Sequence, residues 1–132
     1  MTRASIPDFS KEPWYHDFGD HRCPHDAWLD SIQILEPATG ERHEIRKTEI
    51  IIRLLGAYHD GHIVFTYKDV ISYTVKAFSS SQGHGDWMKD QITTTDGGLL
   101  LHRISWLRGA SNATDWTIEC GEIAYEWKPK EG

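Results

Sequence analysis

The stretch HDFGDHRCPHD, residues 16–26, gathers three histidines, one cysteine and three aspartates within eleven positions. Imidazole nitrogen, thiolate sulfur and carboxylate oxygen are the donors that hold zinc and related ions, at about 2.0–2.3 Å. His21, Cys23 and His25 alternate, so in an extended chain all three point to one side, with Asp17, Asp20 and Asp26 able to add oxygens. The Cys-Pro-His order matches neither Cys-x2-Cys nor His-Glu-x-x-His. The favoured expectation is therefore a polar arm whose His and Asp groups cap turns and bond backbone amides. A site for a divalent transition metal is the alternative.

Four further constellations have chemical potential. Asp60-Gly61 lies between two apolar runs in YHDGHIVFTY, the signature of a two-residue hairpin turn. Such a turn would set His59 opposite His62 and Tyr58 opposite Ile63. Opposed hairpin residues have Cβ atoms about 4.5–5.5 Å apart, so two imidazoles there could share a metal. His102, in LLLHRISW, keeps register with Leu100, Ile104 and Trp106, which predicts a satisfied core histidine. In QGHGDW, His84 and Asp86 sit in a glycine-rich loop, where a His-Asp pair could move protons, but no nucleophile is marked beside them. In the last two strands, Trp116, Ile118 and Cys120 share one side, as do Ile123, Tyr125 and Trp127. Inward, these are core. Outward, Trp116, Tyr125 and Trp127 rimmed by Glu122 and Glu126 would make an acidic-aromatic patch for a basic partner.

The elements that must position these groups are strands. AWLDSIQILE (27–36) reads as one, closed by PATGE. In EIRKTEIIIRLLGAY (44–58) the β-branched Ile50, Ile51 and Ile52 favour strand over helix. VISYTVKAF (70–78) follows, with Lys68-Asp69 a bulge or tight turn before it, then a loop through SSSQGHGD. WMKDQITTT and GLLLHRISWL flank a second Asp-Gly, Asp96-Gly97. RGASNAT is a turn, and DWTIEC and EIAYEW join around Gly121. About eight strands so punctuated predict an all-β fold: a single antiparallel meander over 27–128, closed as a barrel or packed as a two-layer sandwich. Residues 1–26 carry Pro7, Pro13 and Pro24 and no period, which predicts an irregular N-terminal arm. Its Phe9, Trp14, Tyr15 and Phe18 are too apolar for a free tail, so the arm should lie on the domain and cover an edge or core opening.

Composition narrows the function classes. The 132 residues suit one domain with no need of disulfide staples, and Cys23 and Cys120 read as two free thiols. A net charge of −6 disfavours nucleic acid and suits a basic protein. No run approaches a membrane span and no apolar leader opens the chain, which predicts a cytoplasmic protein. Six Trp residues raise the expectation of a binding surface. Phosphate-binding glycine loops, Gly-x-Ser-x-Gly elbows and Cys-x-x-Cys are absent.

From residue 25 to 73 the chain resembles small bacterial β-domains of the immunity-protein type. The residues that carry this are His25-Asp26 leading into a strand in CPHDAWL, and IIIRLLGAYHDGHIVFTYKDVISY. The Cys-Pro before His25 and the long aromatic arm lie outside that pattern. The resemblance implies a domain that blocks a toxin by binding it, and it brings no catalytic residue. The expectation is thus a non-enzymatic protein-binding module without cofactor, its partner a basic protein, with no nucleic acid or membrane. A metal-binding β-barrel or small metal-dependent enzyme, using the His, Cys and Asp donors named above, is the competing expectation. Self-pairing of strand edges into a homodimer is a third.

Overall fold

The structure, a computed structural model, describes residues 4–76, 85–108 and 112–131, without the side chains of Arg108 and Asn112. Prolines and the absence of any period keep the arm out of the sheet. It folds instead into two short 3-10 turns, Asp8–Lys11 and Pro13–His16. The strands are β1 (Trp28–Leu35), β2 (Ala38–Thr39), β3 (Ile45–Arg46), β4 (Thr48–Leu55), β5 (Gly61–Val70), β6 (Ser72–Thr74), β7 (Asp86–Thr94), β8 (Leu100–Arg108), β9 (Asn112–Cys120) and β10 (Glu122–Pro129). β2 and β3 form a small hairpin of their own. The other eight make one antiparallel sheet in the order β10-β5-β4-β1-β7-β8-β9-β6, which is not closed into a barrel.

Alternation explains which face goes inside. Ile50, Ile52 and Leu54 of β4, Ile63, Phe65 and Tyr67 of β5, Leu100, His102, Ile104 and Trp106 of β8, and Trp116, Ile118 and Cys120 of β9 are all buried. Each set is spaced by two residues, the period that sends side chains to one face of a strand. The sheet folds over so that these faces meet. Phe65 of β5 stacks on Trp87 of β7 at 5.3 Å between ring centroids, although their strands are not neighbours in the sheet. Two corners make the fold-over. β1 and β7 share a single residue pair, Trp28 with Asp86. At the other corner β5 runs into β6 and passes from β10 to β9. There Asp69 has a φ of 55°, and Gly121 donates its N–H to the carbonyls of Lys68 and Asp69.

Both Asp-Gly turns differ from expectation in detail. His59 does not face His62, nor Tyr58 Ile63. The register pairs Leu55 with His62 and Leu54 with Ile63, leaving residues 56–60 as a five-residue loop. His59 itself takes the left-handed conformation, at φ 58°. Gly61 serves close approach instead: a Cβ there would lie 2.5 Å from the Trp127 ring and 2.8 Å from the Lys128 carbonyl. Around Asp96-Gly97 the positive φ falls one residue later, on Gly98 at 82°. Gly61→Ala is therefore expected to lower stability by about 2 kcal/mol through overpacking. Chemical unfolding checks this, and a wild-type midpoint would show that Trp127 simply moves aside.

Candidate functional site

The arm runs along the edge of β7 that β8 leaves open. Asp26 donates its N–H to the Trp87 carbonyl at 2.8 Å, and Trp87 donates back to Ala27 at 3.0 Å. Rings hold it down from the other side. Phe9 stacks on Tyr125 at 5.4 Å, Trp14 packs on Tyr125 at 5.1 Å, and Phe9 meets the edge of Phe65 at 5.9 Å. The Tyr125 hydroxyl donates to the Arg22 carbonyl. An arm whose own backbone bonds only close short turns is thus fixed to the sheet by aromatic burial, which also covers a strand edge.

Beneath the arm lies a polar chain that crosses the core. The Tyr15 hydroxyl donates to Asp90 Oδ2 at 2.6 Å, and His102 Nε2 meets the same oxygen at 2.7 Å. His102 Nδ1 meets the Tyr67 hydroxyl at 2.7 Å. An ionised carboxylate only accepts, so the Nε2–H tautomer with Tyr67 donating to Nδ1 satisfies every group. His102 is fully buried, as is Tyr67. Burial first, then the charge of Asp90, pushes the Tyr15 and Tyr67 hydroxyls well above the ordinary tyrosine range. The sequence marked His102 as core but gave no sign of its partners. Asp90 is 12 residues away, and Tyr15 is 75 from Asp90.

Where the arm meets the loop at 56–60, aromatic side chains pack against imidazoles in three pairs. Phe18 stacks on His25 at 3.7 Å and 14°, and Tyr58 stacks on His21 at 4.1 Å and 14°. The Tyr58 hydroxyl donates to the Phe18 carbonyl at 3.2 Å, joining the two pairs. Trp28, at the start of β1, meets His59 at 4.8 Å. Phe18 is 63% exposed, and Tyr58 and Trp28 are each 49% exposed. His21 also pairs through Nδ1 with Asp60. The two histidine-rich motifs of the sequence therefore do converge, but as ring stacks. Tyr58, next to His59, and Phe18, inside the histidine-rich stretch, were the signal in the sequence for this face.

The donors proposed for a metal point to different partners. His21, Cys23 and His25 share no side, because the arm is not extended: Cys23 N–H closes a turn onto the Asp20 carbonyl at 3.1 Å, and Asp26 has a φ of 67°. Cys23 turns inward and donates to the Tyr15 carbonyl at 3.0 Å, while His25 stacks on Phe18 with Asp26 3.3 Å from its Nδ1. His62 sits on β5, 3.8 Å from Asp30, apart from His59. Among the described residues no group of three or more His, Cys, Asp or Glu side chains is placed to hold a metal ion. His84 lies outside the described residues, and Asp86 opens β7 opposite Trp28.

The proposed acidic-aromatic patch is likewise divided. Trp116 is fully buried and donates its indole N–H to the Lys76 carbonyl at 2.7 Å, so it belongs to the core and not to a surface. Tyr125 and Trp127 are half-buried on the inner side of β10, whereas Glu122 and Glu126 are exposed on the outer side. A strand's period of two sends them to opposite faces.

Two titrations follow from the surroundings. The Arg22 side chain, then its backbone N–H, holds the Asp20 carboxyl down from 3.8 to about 2. A lowered carboxyl stabilises above its ordinary value and loses that contribution as pH falls from about 4 to about 2. Arg22→Gln is expected to return the Asp20 midpoint towards 3.8, as read by NMR titration. Burial pushes both free thiols up, Cys120 to about 12. An aromatic disulfide reagent at neutral pH is expected to label neither cysteine in the native protein and both after unfolding, because only thiolate reacts.

The fold and this end of it define an open, folded-over antiparallel sheet strapped by an aromatic arm, with a ring-lined face beside the strap. Comparison with protein-family models, with curated proteins and with solved structures finds no match for the chain. No helix among the described residues is long and apolar enough to cross a membrane.

Proposed function

We propose that the chain is a non-enzymatic protein-binding module, of the type that neutralises a bacterial toxin by occluding it, and that it docks through the ring face. The observation that carries this reading is the exposure of Phe18 and Tyr58, joined through the Tyr58 hydroxyl and each stacked on an imidazole. Large rings held in place lose little freedom on binding, and such residues dominate the energetics of interfaces. The surrounding charge favours a basic partner. Segments 16–30 and 56–62 hold Asp17, Asp20, Asp26, Asp30 and Asp60, of which Asp20 pairs with Arg22 and Asp30 with Arg53, leaving three carboxylates without an Arg or Lys partner in these contacts. Complementary charge steers such an encounter and selects against acidic partners.

The experiment is capture with the tagged chain and with a Phe18→Ala/Tyr58→Ala variant, joined to growth protection against a toxin encoded beside it. One stoichiometric basic protein and protection, both lost with the two rings, are expected. Neither partner nor protection for the wild type would overturn the reading, and retention of both by the variant would overturn the assignment of the face.

A further inference from the structure

We infer that a groove on the outer face of β7–β9 binds a small organic carboxylate, its charged end held by Lys89 and Arg103 and its apolar body lying on Met88, Leu107 and Ala113. The groove shares no residue with the ring pairs, so it stands or falls separately from the docking face.

Strand register builds the groove. Trp87, Ile104, Trp106 and Trp116 point into the core, so the residues between them form rows on the outside. Lys89, Ser105 and Asp115 make one row across β7, β8 and β9, and Gln91, Arg103 and Thr117 make the next. On the other side of the first row Leu107 pairs with Ala113, and the bulge between Trp87 and Lys89 adds Met88, which is 41% exposed. Neighbouring rows on one face are about 7 Å apart along a strand. The concavity they line measures about 740 Å³, within the range of small-molecule sites.

The charges of the groove call for an anion. Lys89 and Arg103 are both exposed and are diagonal neighbours, with Cβ atoms roughly 7 Å apart, so two like charges share one face. Among the described residues neither has a carboxylate partner. The two acids at the groove are engaged elsewhere. Asp115 Oδ1 accepts the Ser105 hydroxyl at 2.7 Å, and Asp90 Oδ2 turns inward to Tyr15 and His102. A carboxylate between Lys89 and Arg103 relieves their repulsion and suits the two-toothed edge of a guanidinium. Asp115, at the β9 end of its row, keeps that carboxylate over β7 and β8. The apolar body then covers Met88 and Leu107 and takes their surface from water, which a bare anion cannot do. The net charge of −6 opposes anions at long range, but at physiological salt charges beyond about 8 Å are largely screened.

Isothermal titration calorimetry of the full chain with hexanoate, hexylammonium and acetate, at matched ionic strength, tests the inference. Hexanoate is expected to occupy one site and to bind about tenfold tighter than either of the others, because it alone matches both the cations and the apolar row. Lys89→Gln/Arg103→Gln changes two exposed positions, leaves the core untouched and should abolish the preference over hexylammonium. Met88→Ser should bring hexanoate down towards acetate and leave acetate unchanged. Equal affinity of hexanoate and hexylammonium for the wild type, or hexanoate binding that survives the double variant, would overturn the inference. Acetate binding as tightly as hexanoate would also overturn it, by showing an adventitious ion only.

Discussion

Replacing His102 with alanine is expected to destabilise the protein by about 3 kcal/mol, with a fall in melting temperature on the order of 10 °C. The loss has two parts. Removing the ring takes packing from Phe65 and Trp87, whose centroids lie 5.5 and 5.8 Å away. It also leaves Asp90 without its imidazole donor and the Tyr67 hydroxyl without its acceptor, both in the interior. A mostly buried carboxylate left with Tyr15 as its one remaining donor in this chain is costly because the surroundings replace the missing bond poorly. Asp90→Ala reaches the same chain from the other end and should also loosen the arm, since Tyr15 then loses its acceptor. Denaturant unfolding of the two single variants and the double checks this. Coupling is expected, with the double variant losing less than the sum of the singles. Strict additivity would show that the chain does not act as one unit.

Trp87→Ala is expected to have a larger effect, about 4 kcal/mol, as for large-to-small changes in a packed core. The indole stacks on Phe65 at 5.3 Å and meets Trp106 at 5.6 Å, so it joins the two halves of the folded-over sheet. Its backbone also pairs with the arm through Ala27 and Asp26. The residue thus serves sheet-on-sheet packing and arm attachment together, and no neighbour can collapse into the space without shifting a strand. Trp87→Phe, retaining the stack on Phe65, should lose less than half as much. The measurement is the unfolding midpoint of the two variants at constant denaturant dependence. Equal losses would place the energetics in the parts of the indole that phenylalanine lacks rather than in the stack on Phe65.

Strands were legible wherever a period of two ran long enough to outvote everything else. EIRKTEIIIRLLGAY and HIVFTY reveal themselves by β-branching and apolar runs; β4 occupies only Thr48–Leu55 of the first, and β5 runs on through Lys68-Asp69 to Val70. The small β2–β3 hairpin escaped notice because two residues cannot display a period. Turn chemistry misled at Asp60-Gly61. Glycine there can signal either positive φ or absence of a Cβ, and Trp127, 66 positions further along, decides for the second. The arm shows the same limit. Alternation of His21, Cys23 and His25 means a shared side only in an extended chain, and turns at Asp20–Cys23 and Asp26 abolish it.

The amino-acid sequence by itself determined the fold class, the core-facing register of His102 with Leu100, Ile104 and Trp106, and the irregular, ring-bearing arm, because each follows from interactions between residues a few positions apart. Only the tertiary structure decided who meets whom: His21 with Asp60, Tyr15 with Asp90, Phe65 with Trp87, and Tyr125 with the arm. Those pairings depend on how the sheet folds over at β1–β7 and β5–β6 and on where the arm crosses it. A corner shifted by one residue would turn every following side chain to the other face. Chemistry that reaches across such corners has no local signature, which is why donor-rich HDFGDHRCPHD could be read as a metal site while its rings form an exposed stacked face.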